Sequence, residues 1–195
     1  MALKFFSNFP SIYYNGMLSK NIILKSAIVK DLLYKIEYFY SYTIKDGERA
    51  DTIANDYYGD SNYYWLVYFS NIIIDPYYEW PLNAIDFENF IRKKYGSVEF
   101  AMDDTRTDNI IHYVYDSTVN PTDEYASYKQ NYIMSVDTYN TYYNENAESS
   151  EIVGFVPVRY YDYEFKKNEN RRNIYLISKA FTNQLEKELA NIFKR

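Results

Sequence analysis

The sequence predicts an α+β protein, and three observations carry that class. Residues 38–44, Tyr-Phe-Tyr-Ser-Tyr-Thr-Ile, have strand composition and lead into two short helical patterns that stop at Asp75-Pro76. A second strand over 172–177 is followed by a helix that Ser178 caps and that carries Lys194 and Arg195 at its end. The stretch between the two blocks, from Asn120 onward, is Tyr- and Asn-rich and keeps neither period for long. Three regions follow: an N-terminal arm and helix at 1–37, a central module with its following helix at 38–96, and a Tyr-rich irregular region ending in strand and helix at 97–195.

In the arm, Phe5, Phe6, Phe9 and Ile12-Tyr13-Tyr14 are apolar, alternate with turn formers and end at Asn15-Gly16, a type I′ hairpin signal. So short a segment cannot build a core, so it folds back on itself or lies extended on another subunit. Ile28, Val29, Leu32, Leu33 and Ile36 then make a helical stripe, with Ser26 as N-cap.

The central block is the most strongly patterned. After the strand at 38–44, Lys45-Asp46-Gly47 is a polar turn, and Asp46 is expected to cap a helix whose stripe is Ala50, Ile53, Ala54 and Tyr57. Glu48 sits where the dipole of that helix favours an anion, and Gly59 ends it. Asp60 or Ser61 caps a second helix with Trp65, Tyr68, Phe69 and Ile72 on its buried side, facing Ile53, and Asp75-Pro76 forbids its continuation. Beyond Pro81, Asn83 and Asp86 have capping-box spacing, Phe87, Phe90 and Ile91 are the buried face, and Arg92-Lys93-Lys94 complement the dipole before Gly96.

Further on, 97–109 reads as an acidic loop and 110–115 as an alternating strand, with His112 and Val114 on one side and Ile111, Tyr113 and Tyr115 on the other. Tyr125, Tyr128 and Tyr132 suit one helix face, and Tyr139, Tyr142 and Tyr143 another. A polar loop is expected at 144–150, and 153–158 is a short strand that Pro157 assigns to a sheet edge. A short helix at 163–169, a strand at 172–177 and a final helix capped by Ser178, with Phe181, Leu185, Leu189 and Ile192 in its stripe, complete the chain.

Composition narrows the function. The net charge of -6 and pI near 4.9 argue against a binder of nucleic-acid phosphates, which needs a basic face. No run reaches the roughly 18 apolar residues of a membrane span, and 1–6 lacks the apolar core of a signal peptide. Hydrophobic residues make up 47% while mean hydropathy is -0.51, because 26 residues are Tyr, each able to bury a ring and keep a hydroxyl for a partner. Cys is absent, which removes disulfides and thiolate metal sites.

No constellation for a reaction stands out. His112 is the lone histidine and has no nucleophile elbow beside it. Asp103, Asp104 and Asp108 lack the glycine and closing glutamate of a calcium loop, so they read as a solvated acidic loop, and no carboxylate pair is singled out for glycoside hydrolysis. No cofactor, metal or catalytic residue is expected. The turn Asp75-Pro76-Tyr77-Tyr78 with Trp80 is different, because restricted backbone and rigid aromatics make a preorganised contact surface. Together with Phe5, Phe6, Tyr13 and Tyr14 it supplies the candidate interface.

At Tyr42-Thr43-Ile44-Lys45-Asp46-Gly47-Glu48, Ile53-Ala54 and Tyr57-Tyr58-Gly59-Asp60 the chain resembles the opening of a LysM domain, in which two helices pack on a two-stranded sheet. The closing strand of that module is expected to be replaced, since Asp75-Pro76-Tyr77-Tyr78-Glu79-Trp80-Pro81 leads into another helix. Tyr64-Trp65-Leu66 followed by that Asp-Pro-Tyr-Tyr-x-Trp run resembles baseplate wedge protein 53 of contractile-tailed bacteriophages, and so does the order of parts over 163–193. The resemblance implies a LysM-like central module and a non-enzymatic structural subunit of the baseplate wedge, fastening wedge proteins around the hub. Implied partners are other wedge proteins, including helical-bundle subunits and the sheath-initiating subunit, in a hetero-oligomer formed in the host cytoplasm and kept in the virion. A LysM-type peptidoglycan binder, or a cell-wall hydrolase component, is the alternative from another class.

Overall fold

A computed structural model describes residues 9–21, 38–145 and 152–192, and the chain forms two compact units, Met1–Leu82 with Glu169–Arg195, and Asn83–Asn168. The class is α+β. The helix expected at 26–36 and most of the polar loop expected at 144–150 lie outside the described residues.

The first unit opens with the hairpin β1 (Ser11–Tyr14) and β2 (Met17–Lys20), turning at Asn15 and Gly16, whose φ of 48 and 77 are those a type I′ turn requires. Its larger sheet pairs β3 (Phe39–Thr43) antiparallel with β7 (Asn173–Ile177), Phe39 opposite Ile177 and Thr43 opposite Asn173. The strand that completes this sheet is therefore present, supplied from far along the chain rather than directly after the second helix. Both strands were legible as strands, but their pairing is non-local and leaves no local signal.

Between these strands run α1 (Ala50–Tyr58), a 3-10 turn at Ser61–Tyr63, α2 (Tyr64–Ser70) and the single turn α3 (Pro76–Glu79). Ala50, Ile53 and Ala54 of α1 meet Val67, Ile174 and Leu176 in one cluster. Trp65 and Leu66 meet Ile177 and Leu185 in a second, so Trp65 faces β7 and the terminal helix rather than Ile53. The buried side of α2 is Trp65, Leu66, Val67 and Ser70; Ile72 lies past the helix end with φ 56 and is exposed, which takes it off the expected stripe.

Some caps differ from expectation. Arg49 stands at the N-cap of α1 without a side-chain bond, while Asp46 accepts from Arg172 and Glu48 accepts from the Tyr42 hydroxyl and the Lys45 N–H. Asp46 is thus drawn to a tertiary partner, and Glu48 closes the turn onto Tyr42 and Lys45. Ser178 stands at the N-cap of a 3-10 turn, Lys179–Phe181, that precedes the terminal helix, and makes no side-chain cap bond. Gly59 with φ 85 and Asn83 cap as expected, whereas Asp60 caps the 3-10 turn that precedes α2, whose own N-cap position is Tyr63 without a side-chain bond.

The second unit starts with α4 (Ala84–Tyr95), which buries Phe87 and Ile91, and α5 (Val98–Met102), capped by Ser97 where a loop was expected. Its sheet has the order β5-β4-β6, with β4 (Ile110–Tyr115) between β5 (Ile133–Ser135) and β6 (Phe155–Arg159), both antiparallel to it. Tyr113 and Tyr115 point to the core with Met134, Ile152 and Phe155. The α7 helix (Val136–Glu145) covers that face, its Tyr139 stacked on Tyr113 at 3.7 Å. Only a short helix, α6 (Ala126–Lys129), forms near Tyr125, Tyr128 and Tyr132; Tyr125 and Tyr132 lie outside it, so the three do not line one helix face, and all three rings are exposed. Gly154 allows close packing: with φ +88, a Cβ there would stand 2.7 Å from the Tyr115 ring. The chain returns through α8 (Tyr160–Asn170) to β7 and ends in α9 (Thr182–Ile192), whose Leu185 is buried.

Candidate protein-interaction surface

The hairpin places five apolar side chains, Ile12, Tyr13, Tyr14, Met17 and Leu18, at the surface, with Tyr13 81% exposed. It is anchored at its base, where Lys20 Nζ donates to the Phe9 carbonyl and the Asn21 N–H to the Pro10 carbonyl, and Phe9 is buried. A two-stranded hairpin exposed in this way is at best marginally stable in water without a covering surface. Phe5 and Phe6 fall outside the described residues.

The second cluster is the 72–80 turn. Asp75 accepts from the Tyr77 N–H, and Glu79 accepts from the N–H groups of Ile74 and Asp75, so the backbone is held from both ends. Pro76 begins the helical turn with φ already set. This rigid frame leaves Ile72, Ile74, Tyr77 and Tyr78 exposed, Tyr77 by 82%. Trp80 is half-buried: its indole N–H donates to the Glu48 carbonyl and its ring stands edge-on to Tyr68 at 5.7 Å. Arg172 supports the same place by joining Asp46, Glu169 and the Leu82 carbonyl. Tyr77 and Tyr78 therefore project from a frame that Trp80 pins to the module.

Sheet edges are a surface that sequence reading missed. On β7, the Asn71 amide behaves as a one-residue strand, its Oδ1 accepting from the Tyr175 N–H at 2.8 Å and its Nδ2 donating to the Tyr175 carbonyl at 2.9 Å. Since Tyr175 turns its polar groups outward, its partner Ser41 does too, and no strand among the described residues pairs with that side of β3. The β7 edge is covered at Tyr175, and among the described residues the β3 edge is open.

Electrostatics here serves structure. In the second unit Asp123 accepts from Lys129, the Tyr115 hydroxyl and the Tyr125 N–H, and these bonds lower its pKa from the ordinary 3.8 to about 2. Burial, then the bond to Asp123, pushes the Tyr115 hydroxyl up to about 12. Burial opposes the ionised form of Glu164, but hydrogen bonds from Lys94 and Tyr95 outweigh it and lower the pKa. His112 stands edge-on to Tyr163 at 5.9 Å on a half-buried strand position. Among the described residues no three His, Asp or Glu side chains converge as a metal site, and no helix is long and apolar enough to cross a membrane.

These features describe a mixed α+β protein with exposed aromatic side chains on a hairpin and on a hydrogen-bonded turn. The pattern of the base plate wedge protein 53 family matches residues 6–192, and the chain belongs to that family. It is a structural protein of the phage tail baseplate wedge. No curated protein matches it.

Proposed function

We propose that this chain fastens wedge proteins to one another around the central hub of a contractile phage tail, by protein contacts and without a reaction of its own. The hairpin is the observation that carries this reading, because five exposed apolar side chains on eight strand residues need a surface to cover them. The turn with Asp75, Pro76, Tyr77 and Tyr78 supplies a second contact, preorganised so that little side-chain entropy is lost on docking. The β3-α1-α2-β7 unit is read as a LysM-like core used as a rigid platform for both. Its partners are other wedge proteins, among them helical-bundle subunits and the sheath-initiating subunit, met in the host cytoplasm and retained in the virion.

The test is a surface change that leaves the fold alone. Tyr13→Ser with Tyr14→Ser, Met17→Ser and Leu18→Ser alters only exposed positions. The free protein should melt within a degree or two of the parent, while incorporation into tails should fall at least about tenfold, a loss of about 1.4 kcal/mol or more in binding. Undiminished incorporation would remove the hairpin from the fastening role.

A further inference from the structure

The three-stranded sheet of the second unit treats its two edges differently. Pro157 of β6 lies opposite Tyr113 and has no N–H to offer, and Arg159 ends that strand with its guanidinium held by the Asp103 and Asp104 carbonyls. Strand β5 carries no such block. The Tyr115 N–H donates to the Tyr132 carbonyl, so Tyr115–Tyr132 and Tyr113–Met134 are the hydrogen-bonded pairs. Ile133, between them, turns its N–H and C=O away from β4, and the Ser135 N–H points the same way. Among the described residues neither polar group of Ile133 has a partner, and its side chain is 61% exposed.

Beside this open edge lies a groove of about 490 Å³, within the roughly 300–1,000 Å³ of ligand sites. Strand β5 and helix α7 wall it, with Tyr132, Met134, Thr138, Tyr142 and Phe155 in its lining. Among the described residues its one cation, Lys129, is already turned to Asp123 and lies 5.5 Å from the centre of the Tyr115 ring, and the lining combines the large side chains of Tyr132, Met134, Tyr142 and Phe155 with the hydroxyls of Ser135 and Thr138.

We propose that this edge and groove receive an extended segment of a different baseplate protein, added to the sheet as a fourth strand. The inference rests on the assembly role proposed above. Free backbone N–H and C=O groups on an edge recognise another extended backbone, and pockets at alternate positions choose its side chains. The residue that lands opposite Met134 must share the Met134 face, because directly paired residues point to the same side of a sheet. That face holds the groove, so the incoming segment carries a large apolar side chain there. Charge sets the rest. Helix α7 bears Asp137 and Glu145 and no basic residue, and each copy of the chain has a net charge of -6, so basic flanks fit and a second copy is disfavoured. A second copy's β5 also has nothing to insert, since its own Met134 is buried.

Ile133→Pro removes one outward N–H and leaves the β4–β5 ladder untouched, while Ile133→Thr keeps the N–H. In full-length protein, Ile133→Pro should incorporate into tails at least tenfold less than the parent and Ile133→Thr as well as it, with equal melting of the free chains. A photoreactive phenylalanine analogue at position 138 should cross-link, in parental tails, to one short segment of another tail protein with a large apolar residue flanked by Lys or Arg. Normal incorporation of Ile133→Pro overturns the proposal, as do cross-links to a second copy or none to another tail protein. Should Ile133→Pro fail to fold, the cross-link decides alone. If the parental chain is itself absent from purified tails, the assembly role falls, an outcome distinct from an incorporated chain with an unoccupied groove.

Discussion

Asn71→Ala offers a sharp test of how the β3–β7 sheet is protected. The Asn71 Oδ1 accepts from the Tyr175 N–H at 2.8 Å, and Nδ2 lies 2.9 Å from the Tyr175 carbonyl, 2.8 Å from that of Val67 and 3.1 Å from Ser70 Oγ. An amide nitrogen has two hydrogens, so at most three bonds form in total. At about 0.5–1.5 kcal/mol net for each, their removal costs about 1.5–4.5 kcal/mol. Ser70 Oγ still donates to the Tyr175 carbonyl at 2.6 Å and water reaches the edge, which places the loss near the lower end, at about 2 kcal/mol. Both tryptophans, Trp65 and Trp80, belong to the first unit, so their fluorescence in a urea titration reads the unfolding of that unit alone. The same variant frees the β7 edge and should self-associate with rising concentration in sedimentation. A loss below about 0.5 kcal/mol with no self-association would refute the view of Asn71 as a surrogate strand.

Other expectations follow from the same contacts. Trp65→Ala should destabilise the first unit by about 3–5 kcal/mol in the same titration, since Trp65 is buried against Ile177 and Leu185; a change under about 1 kcal/mol would place it at the surface. Because the folded pKa of Asp123 is lowered from 3.8 to about 2, its stabilisation is complete above pH 3.8 and is lost as pH falls towards 2. Near-UV circular dichroism of the tyrosines should show Asp123→Asn flattening that part of the acid transition, and an unchanged profile would contradict the assignment. Chito-oligosaccharides should not bind, because Trp80 and Arg172 fasten the 80–82 segment to the turn at 46–48 with the chain's own groups. Micromolar affinity by calorimetry, lost in a Tyr77→Ala/Tyr78→Ala variant, would overturn this.

What was legible in the sequence was local. Asn15-Gly16, Gly59, the Asn83–Asp86 pair and Pro157 act through short-range backbone chemistry, and each does its expected work. The pairing of β3 with β7 was not legible, because hydrophobic alternation identifies a strand without naming its neighbour. Asp46 and Ser178 look like helix caps, yet Asp46 is claimed by Arg172, a residue far away in sequence, and Ser178 stands before a 3-10 turn without a side-chain cap bond. Exposed aromatics were recognised at Tyr13, Tyr14, Tyr77 and Tyr78, where turn signals flank them. The open edge of β5 gave no signal at all, since a free N–H is a property of the register and not of the residue.

Cross-linking of purified tails, with every linked peptide identified, tests the central claim most directly. Contact-driven assembly predicts links from the 11–20 hairpin and the 72–78 turn to other wedge proteins, absent from the free chain and lost together when the hairpin is altered. Tails in which the chain is present, but whose links from both surfaces run only within the chain itself, would contradict it.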